Sequence, residues 1–503
     1  MFAQVHYTVF LVSFLGYTLA IVAVGLWSAA YSRRSDEDFF LAGRSLGKWV
    51  AALSASASSE SGWVTLGLVG LAFTKGVQAY WILPGCLLGF IFNWFVIAGR
   101  MRDRSEALSA VTLPDFFSLH FREKIPLLRV LTVIVILVAM LLYVAAQFAA
   151  AGKAFAAAFP NLQYQHGVLI GGVIVLVYTV SGGFRAVCWT DFLQALLMVG
   201  TLVVFPIYLL TVEGGFSTLF ADLRGVDESL VSFTPGSSGF ALLGFILGSH
   251  ALGINFGYPG QPHVLVRFMA LKSRSEAKLA GVIAVIWGAL VYWGAVTVGI
   301  AARAMTARGE VWGQSMLEGQ EAAEQCLVLA AAHLLPAVIS GVVLAAVLAA
   351  ICSTADSQLV VAASAAANDL YARLFAADKR GEHIHINRLV VLGLGITAVL
   401  LVLREDIRVY SFVLTYGWAI LGAAFGPQII LLLFWRRATY PGCVAGMLTG
   451  FAVPIIWQQV YDASEAGVEI YNLPLGFICA FVVNLVVSLC SRPSSPPALD
   501  RPE

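Results

Sequence analysis

The sequence predicts an all-α polytopic membrane protein of about 13 transmembrane helices, and three observations carry that reading. Of its 503 residues, 59% are hydrophobic and only 12% carry a formal charge, too few to keep a soluble chain of this length in solution. Apolar runs recur at about 20 residues, the length a helix needs to cross hydrocarbon at roughly 1.5 Å per residue. Basic residues gather in alternate connections. The partner this implies is the lipid bilayer. Net charge is +1 with no basic stripe, so nothing points to nucleic acid.

Candidate spans run at 8–30, 49–74, 79–99, 128–157, 164–181, 188–211, 239–261, 277–303, 335–370, 387–404, 409–434, 440–459 and 473–491. The stretch before the first has no Lys or Arg, unlike a cleavable signal, so it reads as an uncleaved span. The span at 128–157 is long enough to tilt or project, and that at 335–370 to extend helically into water. Between 212 and 238 there is room for a short external helix. The tail after 491 is rich in Pro and Ser and reads as disordered. The seven cysteines are scattered and mostly lie in apolar runs, so they read as small core residues. His383 and His385 read as residues of a solvated loop rather than a metal site.

Charge sets the orientation. Arg33, Arg34, Arg44 and Lys48 follow the first span, and Arg100, Arg102, Arg104, Arg122, Lys124 and Arg129 the third. Arg185 follows the fifth, Arg267, Lys272, Arg274 and Lys278 the seventh, and Arg373, Lys379, Arg380 and Arg388 the ninth. Arg436 and Arg437 follow the eleventh, with Arg492 and Arg501 in the tail. Cationic loops are retained in the cytoplasm, which places the N-terminus outside and the C-terminus inside.

Three segments make poor membrane helix, and the start of the sixth span carries a further polar pair. The second span contains Ser54-Ala55-Ser56-Ala57-Ser58-Ser59-Glu60-Ser61-Gly62-Trp63. Its small residues suit close helix packing or an unwound backbone that turns carbonyls toward an ion. Glu60 favours the second, because an ionised carboxylate in hydrocarbon is costly without a partner. The seventh span ends Gly253-Ile254-Asn255-Phe256-Gly257-Tyr258-Pro259-Gly260-Gln261-Pro262-His263. That run cannot form regular helix; it is either a helix terminus or a second interrupted helix, five spans after the first. In the ninth span Ala350, Ser353, Thr354 and Ser357 share one face at offsets 0, 3, 4 and 7, with Asp356 on its flank. Such hydroxyls either back-bond to their own helix or form an oxygen patch suited to Na⁺. Thr190 and Asp191 at the start of the sixth span cap that helix or pair with Arg185; the other reading makes Asp191 a stop on an inward cation route.

In this order the segments resemble the sodium:solute symporter family, most closely its sodium/proline symporter-like members. The resemblance rests on Leu41-Ala42-Gly43-Arg44-Ser45-Leu46-Gly47, Ser61-Gly62-Trp63, Leu113-Pro114-Asp115-Phe116 and Gly182-Gly183 through Asp191 and Gln194. It continues through Gly260-Gln261-Pro262-His263, Arg267-Phe268-Met269, Ser353-Thr354-Ala355-Asp356-Ser357-Gln358 and Gly422-Ala423-Ala424-Phe425-Gly426-Pro427. It covers about residues 8–490.

The resemblance implies a leucine-transporter-like core of two five-helix inverted repeats, 49–211 and 239–434. Around them lie an N-terminal extra span and loop (1–48), an external loop (212–238), two C-terminal spans (435–491) and a tail (492–503). It further implies alternating access in a prokaryotic-type inner membrane, with uptake of proline or another small organic solute driven by Na⁺. By the same resemblance the main Na⁺ site maps to the carbonyls of Ala57, Glu60 and Ala350 and the hydroxyls of Ser353 and Thr354. A second cation site maps to Ser353, Asp356, Ser357 and Asp191. The substrate maps beside Ser61, Gly62, Trp63, Tyr143, Gln147, Asn255 and Tyr258.

Two departures matter. Proline symporters carry Asp at the position of Ser59 and an apolar residue at that of Glu60, and an aromatic residue where this chain has Ile254. The first leaves Na⁺ and H⁺ open as coupling ion, with Glu60 as proton carrier, sodium partner or substrate counter-ion. The second leaves the amino acid open. A transporter-like solute sensor with a separate signalling partner is the rival class. An enzyme is not indicated, since no nucleophile–base pair or metal cluster is evident.

Overall fold

The computed structural model describes residues 41–159, 161–180, 183–234, 240–372, 380–404, 407–462 and 470–492, with scattered positions between 8 and 24. The span expected at 8–30, Gly182 and the tail beyond Arg492 therefore lie wholly or largely outside the described residues. The described residues are overwhelmingly helical. The extended pairing among them is one isolated bridge, Leu46 to Leu271.

The second expected span is broken: α1 (Lys48–Ser59) stops at Glu60, and a π-helical turn (Trp63–Leu68) leads into α2 (Val69–Lys75). Gly76 reverses the chain with φ +62°, against the Leu230 backbone, a conformation and a proximity that suit a residue without Cβ. Next come α3 (Ile82–Ile91), α4 (Gly99–Ala107) and the short α5 (Leu113–His120). Thr112 starts α5 by accepting the Asp115 N–H at 3.1 Å, an N-cap. Then follow α6 (Leu127–Ala158), α7 (Tyr164–Thr179), α8 (Phe184–Glu213) and, in the expected external loop, α9 (Phe216–Val226).

The seventh expected span is also broken, into α10 (Phe240–Ile246), a 3-10 segment (Leu252–Gly260) and α11 (Pro262–Met269). Beyond it lie α12 (Arg274–Ala307), α13 (Gln320–Ala323), α14 (Cys326–Leu334) and α15 (Ala337–Ser364). The chain ends through α16 (Arg380–Val402), α17 (Val409–Phe412), α18 (Ala419–Phe434), α19 (Tyr440–Asp462) and α20 (Asn472–Cys490). Nine helical stretches among the described residues are long and apolar enough to cross a membrane; the broken spans account for others.

Packing sorts the helices by role. The half-helix α1 packs on α8, α11, α12 and α15, while α15 also packs on α6 and α8. The α19–α20 pair packs on α18. Exposed Val204, Ile286 and Leu400 face outward as lipid-facing side chains do, and polar side chains point inward.

Three sequence expectations change. The stretch beyond α15 does not project into water: it continues as a π-helical turn (Ala365–Ala372) with Asn368 and Asp369 buried. His383 and His385 belong to α16 rather than a loop. Arg44, Arg102, Arg129 and Arg267, read as loop charges, are buried. Arg44, for instance, donates to the Met269 and Ala110 carbonyls at 2.9 and 2.7 Å, tying the chain before α1 to the end of α11.

Candidate functional site

The two breaks meet in the middle of the bundle. At the first, Glu60 leaves helical geometry (φ −100°, ψ 89°) and its N–H closes α1 on the Ser56 carbonyl at 2.9 Å. Backbone groups freed by the break find side-chain partners. Gly62 donates to Gln147 Oε1 of α6 at 3.1 Å, and the Trp63 indole donates to the Ser59 carbonyl at 3.0 Å. A Cβ on Gly62 would lie 2.7 Å from that of Ala150, so only glycine lets the break sit this close to α6.

The hydroxyl face of α15 is turned onto the end of α1. Ser353 Oγ donates to the Ala57 carbonyl at 2.9 Å and lies 3.1 Å from its own Ala350 carbonyl. Thr354 Oγ1 reaches the Ser58 carbonyl at 3.1 Å and that of Ala57 at 3.4 Å. Four of the five expected cation ligands are thus linked by hydrogen bonds, Ser353 to the Ala57 and Ala350 carbonyls and Thr354 to that of Ala57. The Ser58 carbonyl, which the sequence reading omitted, joins them. These oxygens are the hard donors that Na⁺ requires, and the patch bridges a broken helix to an intact one.

Glu60 takes another direction. Its carboxylate accepts a hydrogen bond from Tyr292 of α12, whose hydroxyl lies 2.9 Å from that of Tyr258. The residue is fully buried, and among the described residues its second oxygen has no hydrogen-bond partner and no basic side chain bonds to it. Rings surround this group: Trp63 lies 6.2 Å from Tyr292, and Tyr258 lies 5.2 Å from Phe90 and 4.7 Å from Trp418. Trp418 closes on the second break, donating to the Ile254 carbonyl at 3.1 Å.

Of the expected substrate residues, Ser61, Gly62, Trp63, Tyr143, Gln147 and Tyr258 are buried, with the Tyr143 ring against Gly417. Asn255 is only half-buried, and among the described residues no hydrogen bond joins it to the other six. Its neighbour Phe256 packs on Phe477 of α20 at 5.2 Å.

The expected second cation group is only partly assembled. Asp191 neither caps α8 nor pairs with Arg185. Its Oδ2 accepts from Arg267 Nη2 at 2.7 Å, Ser54 at 2.7 Å and Ser58 at 3.1 Å, with Ser357 at 3.4 Å. Asp356 is fully buried beside Ser357 but is not among the groups bonded to Asp191 or Arg267.

Two further buried ion clusters escaped the sequence reading. Lys153 of α6 donates to Glu324 at 2.7 Å, and Glu324 accepts the Val409 and Tyr410 N–H groups at 3.1 and 2.9 Å, capping α17. Arg129 bridges Asp115 and Asp369 at 2.6 and 2.5 Å, with Thr112 donating to Asp369 at 2.8 Å. Lys153 was legible, because an ionisable residue inside an apolar span marks a partner or a pathway. Glu324 lies in a connection with no such signal.

A helical membrane bundle with two interrupted helices framing a polar centre has the architecture of a secondary transporter, not an enzyme. Comparison with known proteins makes the class specific. Residues 39–450 match the model of the Sodium:solute symporter family. The chain is 36% identical over 485 residues to the high-affinity proline transporter PutP of Bacillus subtilis, covering 94% of this chain and 96% of that one. It is 34% identical over 487 residues to the sodium/proline symporter of Salmonella typhimurium, covering 96% and 94%. The fold is similar to that of a Na⁺-coupled sialic acid symporter in a substrate-bound outward-open state, with TM-score 0.77 at 18% identity over 98% of this chain and 99% of that one.

The chain belongs to the sodium:solute symporter family. It is a multi-pass membrane protein with a leucine-transporter-like fold, in a family described as sodium:solute symporters.

Proposed function

We propose that this symporter takes up proline or a closely related amino acid. The named relatives, proline transporters along nearly their whole length, support that substrate class. The observation that carries the mechanism is the contact of Ser353 and Thr354 with the Ala57 and Ser58 carbonyls. In this reading the cation binds among Ala57, Ala350, Ser353 and Thr354, with the Glu60 carbonyl completing the set as the broken helix adjusts. A bound cation then holds α1 on α15, which favours the solute-ready state. Solute binds beside the first break, against Ser61, Gly62, Trp63, Tyr143, Gln147 and Tyr258; Asn255 has the weakest claim.

The two repeats, 49–211 and 239–434, rock about this centre. The N-terminus lies outside and the C-terminus in the cytoplasm, as the distribution of loop charge supports.

A second reading rests on Glu60. A buried carboxylate without a basic partner can take a proton and lose no ion pair, so a proton gradient would be the driver. Radiolabelled proline uptake into proteoliposomes, under imposed Na⁺ or H⁺ gradients, decides. Accumulation under Na⁺ alone supports the first reading. Accumulation under H⁺ alone, abolished in Glu60→Gln, overturns it in favour of the second.

A further inference from the structure

We propose that the Glu60 carboxylate binds the protonated amine of the transported solute and makes the site selective for alkylated ammonium groups. The inference rests on the Na⁺-symport reading above and narrows its substrate class.

The protons around Glu60 all run one way. A hydroxyl carries a single proton. Tyr292 donates its own to Glu60 Oε1, so across the 2.9 Å contact between the two hydroxyls Tyr258 is the donor and Tyr292 the acceptor. Neither tyrosine keeps a proton for a ligand. What these side chains offer instead is an acceptor: Glu60 Oε2, buried and without a hydrogen-bond partner among the described residues. An anion or a carbonyl finds no donor in this group, whereas a cationic N–H finds both a charge and an acceptor.

The enclosure narrows the class further. Trp63 lies 6.2 Å from Tyr292, Phe90 lies 6.4 Å from Tyr292 and 5.2 Å from Tyr258, and Trp418 lies 4.7 Å from Tyr258. Gly89 lets this wall close, because a Cβ there would sit 2.0 Å from the Tyr258 ring. Ring faces attract an organic cation but supply no oxygen, so Na⁺, which needs a shell of hard donors, is poorly served. A proton on Oε2 would itself lack an acceptor, a costly state for a buried group. A primary ammonium brings three N–H groups to one open carboxylate oxygen. A secondary or tertiary ammonium brings two or one, and its carbons can lie against the rings. Trp63 and Tyr258 come from the two interrupted segments, so the breaks flank this carboxylate, where broken helices hold a solute.

Displacement of radiolabelled L-proline from purified protein, at fixed Na⁺ and neutral pH without a gradient, tests this with two analogues. Tetrahydro-2-furoate has an oxygen in place of the ammonium; N-methyl-L-proline keeps the charge with one N–H. Wild type should bind the furoate at least about a hundredfold more weakly than proline, and N-methyl-L-proline within about tenfold of proline. In Glu60→Gln, which keeps the shape and loses the charge, the furoate-to-proline ratio should collapse to about tenfold or less. Should that variant fail to fold, Glu60→Leu, apolar within an apolar wall, should show the same collapse; if neither folds, the two wild-type ratios decide. A ratio unchanged in a folded variant overturns the proposal, as does a variant in which only the Na⁺ dependence of proline binding shifts. Rejection of N-methyl-L-proline by wild type overturns the preference for alkylated ammonium. Na⁺-driven proline uptake in proteoliposomes, with ratios indifferent to Glu60, defeats this inference alone. Absence of Na⁺-driven uptake defeats the symport reading, and this inference with it.

Discussion

Removing the Glu324 charge tests how far the buried ion pairs hold the bundle together. Lys153 and Glu324 each retain only 1% exposure and lie 2.7 Å apart. Glu324→Gln keeps the side-chain volume but removes the carboxylate charge 2.7 Å from a buried ammonium, a change that typically costs about 3–5 kcal/mol. The same carboxylate caps α17 through the Val409 and Tyr410 amides, and weakening such a cap costs about 0.5–2 kcal/mol. Reversible unfolding in mixed micelles, followed by tryptophan fluorescence, should show a loss of about 3–5 kcal/mol for Glu324→Gln. Lys153→Met should cost a similar amount, since it leaves the carboxylate unpaired. The double variant should be more stable than the sum of the single losses predicts, with an interaction energy of about 2 kcal/mol or more. Single variants within about 0.5 kcal/mol of wild type, with additive effects, would refute the claim that this pair is dry and mutually dependent.

Further predictions follow from the same geometry. Ser353→Ala and Thr354→Ala each delete a hydroxyl of the proposed cation site, worth about 1.5–3 kcal/mol toward a charged partner. The Na⁺ concentration for half-maximal uptake should rise about tenfold or more in each, while Thr354→Ser stays near wild type. Gly257→Ala would put a Cβ 1.9 Å from the Trp418 indole nitrogen, so proline uptake should collapse although the protein still reaches the membrane. Gly200, with nothing within 4 Å of an added Cβ, should accept Ala without effect. Arg129→Met leaves Asp115 and Asp369 facing each other without their shared cation, and thermal stability in detergent should fall by about 3–5 kcal/mol. Asp369→Asn, which keeps Arg129 paired with Asp115, should fall by less.

Much of this molecule could be read from the chain because membrane helices advertise themselves. Apolar runs placed α6, α12 and α15 within a few residues, and Pro and Gly at 253–263 marked the second break. The hydroxyl face of α15 was legible from spacing alone, since Ser353 and Thr354 are three and four residues beyond Ala350. Arg267 was read as a loop charge because α11 has only 8 residues, too few to show its own burial by periodicity. Glu324 sits between α13 and α14, and nothing local signals that it caps a helix some 85 positions onward. The direction of the Glu60 side chain is likewise a tertiary fact. One residue beyond a helix end, its orientation depends on how the backbone leaves the helix, and that is set by Gln147 and Ala150.

The most direct test of the central claim, that the α1–α15 oxygen patch joins cation binding to solute binding, is equilibrium binding without a gradient. Proline affinity of purified protein would be measured across Na⁺ concentrations, and Na⁺ affinity across proline concentrations. Linkage requires the two ligands to strengthen each other by the same factor, typically about 5- to 150-fold. The account predicts equal factors in that range for wild type, and loss of both in the Ser353→Ala/Thr354→Ala double variant. Proline affinity that is indifferent to Na⁺, or linkage intact in the double variant, would contradict it.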